Sequence, residues 1–482
     1  MNIAARSREL SCLALAAAAL LAGCAQAPVG PDYRAPEALQ PAHAASAGAF
    51  QSADPRFVTS AEPLPDHWWR LYQDPRLDAL VARAFQHNTD LRQAVATLER
   101  ERALDDEVRG GREAAIGVSG GPSFGHRSGL DLLRPGYQPP STFNYGASAT
   151  LSYQLDLFGQ IRRAIEASEA GTGSAEAALD LVRVNVAAGT ARAFAEVCSS
   201  GLRLRSAQTS LDLQQQAVDL SDRLQRAGKV GVIDAARARG QLEQLRASLP
   251  PLQARRQGAL YRLAALTGAP PREFPVEIAD CVAPPRVAGA IPVGDGAALL
   301  RRRPDIRQAE RQVAVASARI GVATAELYPK VSLGVSVSSV GKMKDFGGSD
   351  TLGYSLGPLI SWSVPNTGVA RARIAQAEAA DRAALARFDG VVINALRETE
   401  TSLSVYAGEL DRHAALEGAR EQSAVVAEQA RQLYRNGRTG SLDALDAERA
   451  LAVSEAALAA SDAQLADDQV SLFLALGGGW ER

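Results

Sequence analysis

The residues with the most definite chemistry stand near the start of the chain. A basic opening (Arg6, Arg8) and an apolar run from Leu13 to Leu21 lead into Leu20-Leu21-Ala22-Gly23-Cys24. The run is well short of the ~20 apolar residues that a membrane-spanning helix requires, so residues 1–23 read as a secretion signal. Small residues before a cysteine match the bacterial lipobox, in which the Cys24 thiol is acylated and becomes the first residue after cleavage. An ordinary signal peptide carrying a cysteine is the alternative. Several acyl chains anchor firmly where one holds only reversibly, and Ala25 in place of Asp implies sorting to the outer membrane. Two further cysteines, Cys198 and Cys281, remain in an oxidising compartment, either bridged or as two buried thiols. Neither has a His or a second Cys at ligand spacing. The five histidines (His43, His67, His87, His126, His413) are scattered without metal spacing. No Gly-rich phosphate loop precedes a Lys-Ser/Thr pair. These absences predict no catalytic site, no metal and no cofactor beyond the lipid on Cys24. One acidic pattern does stand out: Asp443 and Asp446, one turn apart, share a helix side, with Leu442 and Arg449 three or four residues from Asp446.

The elements that carry these residues are organised by an internal repeat. A shift of 209 residues takes Gly159 onto Gly368, Arg162 onto Arg371 and Asn185 onto Asn394. The same register takes Leu224, Arg226, Gly228, Gly231 and Asp234 onto Leu433, Arg435, Gly437, Gly440 and Asp443, then Gly268 onto Gly477. At a slightly different shift, Asp90-Leu91-Arg92-Gln93-Ala94 resembles Asp305-Ile306-Arg307-Gln308-Ala309. The chain therefore divides into a signal (1–23), an N-terminal lipid-anchored segment (24–73), a first copy with an equatorial segment (74–300) and a second copy (301–482). Each copy reads as a helix, two strands, a very long helix, a tight turn and another long helix. The helical stretches from Gln160 to Arg226 and from Thr367 to Arg435 lack proline and are rich in strong helix formers. At 1.5 Å per residue each spans roughly 100 Å. Small residues dominate and aromatics make up only 5 %, which suits helices packed side by side around a lumen. A net charge of −2 with mixed signs argues against nucleic acid as a partner.

The strands alternate with period two. Tyr145, Ala147, Ala149, Leu151, Tyr153, Leu155 and Leu157 oppose Gly146, Ser148, Thr150, Ser152, Gln154 and Asp156. Leu333, Val335 and Val337 oppose Ser332, Gly334, Ser336 and Ser338, and Leu356, Ile360, Trp362 and Val364 oppose Ser355, Ser361 and Ser363. The stretch from Ile116 to Phe124 is weaker and broken by glycine. A soluble half-buried sheet gives the same pattern. If these strands cross a bilayer, open edges are untenable and closure takes at least about eight strands. One chain offers four, so chains must pool them: three give twelve, whereas two give eight and an interior filled by side chains.

At this point the residues resemble the TolC/OprM-like family of outer-membrane efflux proteins, most of all its lipoprotein branch serving RND-type pumps (NodT-type). Pro28-Val29-Gly30-Pro31-Asp32-Tyr33, Trp68-Trp69 with Tyr72, Asp74 and Pro75, and Leu155-Asp156-Leu157-Phe158-Gly159 with Arg162-Arg163 carry the resemblance. Arg303-Pro304-Asp305-Ile306-Arg307, Ala309-Glu310, Ile320-Gly321 and Tyr328-Pro329 form its most diagnostic block, and coverage runs essentially end to end. The resemblance implies an α+β membrane protein: a homotrimeric 12-stranded β-barrel, four strands per chain, on a long α-helical periplasmic tunnel with two tandem structural repeats. It implies a passive exit duct in a tripartite pump for drugs or other small toxic compounds, working with a periplasmic adaptor and an inner-membrane RND transporter. Hairpin tips at Gly228, Gly231, Gly437 and Gly440 would contact the adaptor, their glycines allowing positive φ at a helix end. Leu442, Asp443, Asp446 and Arg449 would form the aperture, three chains bringing six carboxylates into a cation-selecting ring. A cap by Asp443 and a local Asp446–Arg449 pair are the structural alternative. Type I protein secretion and a non-conducting trimeric coiled coil or adhesin are the rival functions. The first lacks support from the lipobox, and the second would show sustained heptads.

Overall fold

The computed structural model describes residues 28–36, 48–60, 62, 64–126, 128, 130, 133–287, 289–362 and 367–478, so Cys24 lies outside the described residues. In chain order the strand β1 (Val58–Thr59) and a short 3-10 turn (Trp68–Tyr72) precede helices α1 (Pro75–His87) and α2 (Thr89–Gly110). Strands β2 (Ala115–Gly125) and β3 (Thr142–Leu155) follow, then the hairpin α3 (Gln160–Arg226) and α4 (Val232–Leu266). A connecting segment carries β4 (Ile291–Pro292) and α5 (Gly296–Arg302). Then come α6 (Pro304–Ala325), β5 (Lys330–Lys342), β6 (Leu352–Ser361), α7 (Thr367–Arg435) and α8 (Ser441–Ala475). The order helix, two strands, long helix, turn, long helix thus occurs twice, with matched lengths: 22 residues in α2 and α6, 67 and 69 in α3 and α7, and 35 in both α4 and α8.

Local chemistry sets the starts of these helices. Asp74 accepts from the Arg76 N–H with Pro75 at the first position of α1. Asn88 accepts from the N–H groups of Asp90 and Leu91 at the head of α2, and Asp295 from that of Ala298 in α5. The short parallel pair β1–β4 and α5 have no counterpart in the periodicity-based reading.

The chain forms two compact units. Of the described residues, one takes those up to Arg34 and those within Glu99–Ser174 and Glu310–Arg387; the other takes those within 35–98, 175–309 and from Phe388 onward. The boundary at 300 divides the chain, whereas the units divide space, and each unit draws on both halves. The second unit holds the main core, in which Trp68, Phe194, Leu263, Leu403, Leu472 and Phe473 are at most 2 % exposed. Trp68 and Phe473 lie with ring centroids 4.6 Å apart.

The first unit holds an antiparallel sheet in the order β2-β3-β5-β6. Its register sorts side chains by chemistry. Ile116, Leu151, Val335 and Leu356 form one cross-strand row, and Val118, Ala149, Val337 and Tyr354 the next but one. Between them runs Gly117, Thr150, Ser336 and Ser355, with Ser119, Ser148, Ser338 and Gly353 beyond. On the polar face Ser119 pairs with Ser148 at 2.9 Å and Ser336 with Ser355 at 2.8 Å. The apolar face is uncovered: Val118 is 82 % exposed and Tyr354 88 %. Among the described residues no helix is long and apolar enough to cross a membrane. Val364 and Ser363, assigned to opposite faces of β6 by their alternation, lie outside the described residues.

Candidate functional site

The two tip turns are built alike. In the first, the N–H of Gly228 donates to Gln225 and that of Lys229 to Leu224; in the second, Gly437 donates to Tyr434 and Arg438 to Leu433. These bonds close the helix ends in Schellman fashion, with Gly228 at φ +67° and Gly437 at +68°. Gly231 and Gly440 behave differently. They are the N-cap residues of α4 and α8 in extended conformation, φ −77° and −75°. Positive φ therefore accounts for only one glycine in each turn.

Beyond the second tip, Leu442, Asp443, Asp446 and Arg449 are all exposed on the first turns of α8. The Thr439 hydroxyl donates to Asp443 at 2.5 Å, so this carboxylate closes the turn. Asp446 has no hydrogen-bond or ion-pair partner among the described residues, and the Asp446–Arg449 pair considered from their spacing is not formed.

Each hairpin is clamped near its tip by one ion pair between its helices. Arg239 reaches Asp222 at 2.9 Å in the first, and Arg431 reaches Glu448 at 2.6 Å in the second. The repeat shift carries Asp222 onto Arg431 and Arg239 onto Glu448, so the pair occupies one position with its charges exchanged. Residue identity under the repeat shift is lost at both positions. The signal they carry in the sequence is the complementary change of charge under the same shift.

The ends of the hairpins show a second correspondence. Asn88 donates through its amide to the Leu266 carbonyl at 3.0 Å, closing the end of α4. Arg303 donates to the Ala475 carbonyl at 2.8 Å, closing the end of α8. Arg303 also pairs with Asp305 at 2.7 Å and Glu398 at 3.0 Å. Burial opposes its charge, but the bonds to those two carboxylates outweigh it and raise its pKa above the ordinary arginine value. The block Arg303-Pro304-Asp305 is thus a structural clamp.

In the first unit, Arg163 ties down the segment that follows the signal. Its guanidinium, 4 % exposed, meets Asp32 at 2.6 Å and Glu166 at 2.7 Å. It also donates to the carbonyls of Val29 and Gly30. A Cβ on Gly30 would lie 2.5 Å from the Gly321 Cα, so two backbones touch where any side chain would part them. Tyr33 donates to Glu310, and Phe158 stacks on Tyr328 at 4.5 Å. These contacts explain why Gly30, Asp32, Tyr33, Arg163 and Gly321 stood out together.

Cys198 and Cys281 are joined by a disulfide with Cα atoms 4.6 Å apart, pinning the segment after α4 onto α3. Among the described residues no group of three or more His, Cys, Asp or Glu could hold a metal ion.

Comparison with known proteins agrees with this architecture. The chain is 30 % identical to Nodulation protein T of Rhizobium leguminosarum bv. viciae, over 97 % of this chain and 93 % of that one. It is 26 % identical to the probable outer membrane lipoprotein SilC of Salmonella typhimurium, over 98 % and 99 % of the two chains. Among solved structures, the outer-membrane channel OprN superposes with a TM-score of 0.85 at 34 % identity, covering 94 % of this chain and 99 % of that one. The model of the outer membrane efflux protein family matches residues 80–269 and 297–478. The chain belongs to the outer membrane efflux protein family.

Proposed function

We propose that three copies of this chain close one twelve-stranded barrel and form the outer-membrane exit duct of a tripartite efflux pump. The observation that carries this reading is the sheet: four strands, one face of apolar rows and one of Ser, Thr and Gly, and two edge strands, β2 and β6. An uncovered apolar face is unfavourable in water, and unpaired edges are unfavourable in lipid. Pooling strands among chains with the apolar rows toward lipid removes both conflicts. Three chains leave a lumen lined by hydroxyls.

In this reading each chain is two tandem copies of one unit, supported by the exchanged ion pair and by the matched closures at Asn88 and Arg303. A lipid on Cys24 anchors the chain, and the Arg163 clamp begins only five residues later at Val29, so the anchor stays within ~18 Å of the clamp. The hairpin tips around Gly228, Gly231, Gly437 and Gly440 meet a periplasmic adaptor. An inner-membrane RND-type transporter supplies energy, since a passive duct has none. Leu442, Asp443, Asp446 and Arg449 narrow the pore.

Purified protein in detergent is expected to run as a heat-sensitive trimer and to conduct weakly in planar bilayers. A monomer without conductance would sink the proposal. Mass spectrometry of the mature N-terminus tests the anchor, with an unmodified Cys24 as the contrary result.

A further inference from the structure

A cavity of about 500 Å³ lies between α3, α4 and α8, entirely within the second unit. Five of its lining side chains are charged: Arg192, Arg203, Arg255, Glu196 and Asp467. Both carboxylates are already engaged, Asp467 by Arg192 at 2.6 Å and Glu196 by Arg262. Arg203 and Arg255 have no carboxylate within ion-pair distance among the described residues. They stand near enough that the Arg255 charge, added to the larger effect of burial, lowers the pKa of Arg203. Ser199 lines the same cavity, is 4 % exposed, and its hydroxyl has no hydrogen-bond partner.

Two like charges facing one cavity, neither of them ion-paired to the carboxylates that share it, disfavour each other. They are compatible when an anion sits between them, and a guanidinium fork matches carboxylate and phosphate oxygens. The volume is that of an ordinary small-ligand site. A second cavity of about 330 Å³ shares Arg203 and Arg255 and continues to Arg449, so the basic lining extends along α8.

We propose that Arg203 and Arg255, with Ser199, form a binding site for a free small oxyanion, a solute bearing carboxylate or phosphate. The site is contained in one chain and stands independently of the duct reading. It also adds to that reading, because acidic groups near the tip and a basic cavity along α8 would meet cargo of opposite charge in turn.

The test is isothermal titration calorimetry of the detergent-solubilised full chain with inorganic phosphate and with citrate at low ionic strength. Saturable binding of about one anion per chain is expected. It should weaken at least about tenfold in the double variant Arg203→Gln with Arg255→Gln and persist in part when both are Lys. No saturable heat with the native chain, or equal heat in the Gln variant, overturns the proposal. If the Gln variant loses its oligomeric state, the single variant Arg255→Gln gives the second reading, and undiminished binding there is contrary. Should the substitutions loosen the assembly while anions never bind the native protein, the arginines serve a neighbouring chain's carboxylate and the free-anion site falls. Bilayer currents from the same preparations separate the two claims: conductance without anion binding removes the site alone, and binding without conductance removes the duct alone.

Discussion

Asp443 and Asp446 carry the same charge but differ in what holds them. The Thr439 hydroxyl engages Asp443, which also sits in the first turn of α8 where the helix dipole favours an acid. Asp446 is exposed and has no such partner among the described residues. The conductance of Asp446→Ala is therefore the cleaner gate test, with single-channel current expected to rise by about twofold or more. Asp443→Ala should add a stability loss of roughly 0.5–1 kcal/mol from the turn, visible by thermal melting. Unchanged current in Asp446→Ala would remove that residue from the aperture. A different carboxylate, Asp468, is buried at 6 % exposure with one oxygen lacking a partner. Burial raises its pKa against a hydrogen bond from Gln464, and the charges of Asp467 and Glu409 raise it further. A folded-state pKa above the unfolded one means that ionisation destabilises. The penalty is full above the folded pKa and absent below the unfolded value of about 3.9. Asp468→Asn should raise Tm by roughly 1–3 °C at pH 8 and have no effect near pH 3.5. An equal shift at both pH values would be the contrary result.

At the scale of elements, the hairpins are held by their ends and by ion pairs between their helices, Asp222–Arg239 and Glu196–Arg262 in the first and Arg431–Glu448 and Arg420–Glu455 in the second. Arg303 closes α8 while engaging Asp305 and Glu398, so Arg303→Ala removes the shared guanidinium from two carboxylates and a carbonyl, leaving them only the Ile306 N–H, Arg397 and the Thr399 hydroxyl. A loss of about 2–3 kcal/mol is expected, measured by denaturant unfolding. Lysine should rescue it poorly, because a point charge cannot bridge both acids and the carbonyl. The exposed pair Asp222–Arg239 is weaker, about 0.2–1 kcal/mol, but the exchanged pair Arg431–Glu448 offers a sharp test. Asp222→Arg combined with Arg239→Glu should restore what either single change loses, and failure of that rescue would show that the position is not equivalent in the two hairpins. Long helices and alternating strands were legible in the sequence because proline-free Ala-rich stretches and period-two patterns leave few alternatives. Charge exchange was not, since aligned identities vanish where two residues change together. Likewise the Arg163 clamp was visible as a set of motif residues, but their shared contact depends on Gly30 touching Gly321, which no local pattern encodes. The disulfide was left open for the same reason, being a contact across 83 residues. Closing a loop of that length contributes about 4.5 kcal/mol in the chain-entropy model, so Cys198→Ser with Cys281→Ser should melt measurably lower than the oxidised protein.

At the scale of the whole molecule, the question is which solvent each face of the sheet meets. The chain places Val118 and Ser119 side by side on β2, one in the apolar register and one in the hydroxyl register. If the apolar face met water, Val118→Lys would change stability by no more than about 0.5 kcal/mol, as most exposed substitutions do. If that face meets lipid near the bilayer midplane, the same lysine costs about 2–4 kcal/mol. Ser119→Lys serves as the internal control, because a lysine facing an aqueous lumen keeps its hydration and is expected to leave assembly intact while altering ion selectivity. The measurement is the yield of heat-sensitive trimer after refolding into bilayers, with each variant compared against the native chain. Loss of trimer in Val118→Lys together with a normal yield in Ser119→Lys assigns the two faces as proposed. Equal yields would mean that the apolar rows are covered by protein or water, and that four strands per chain close in some other way.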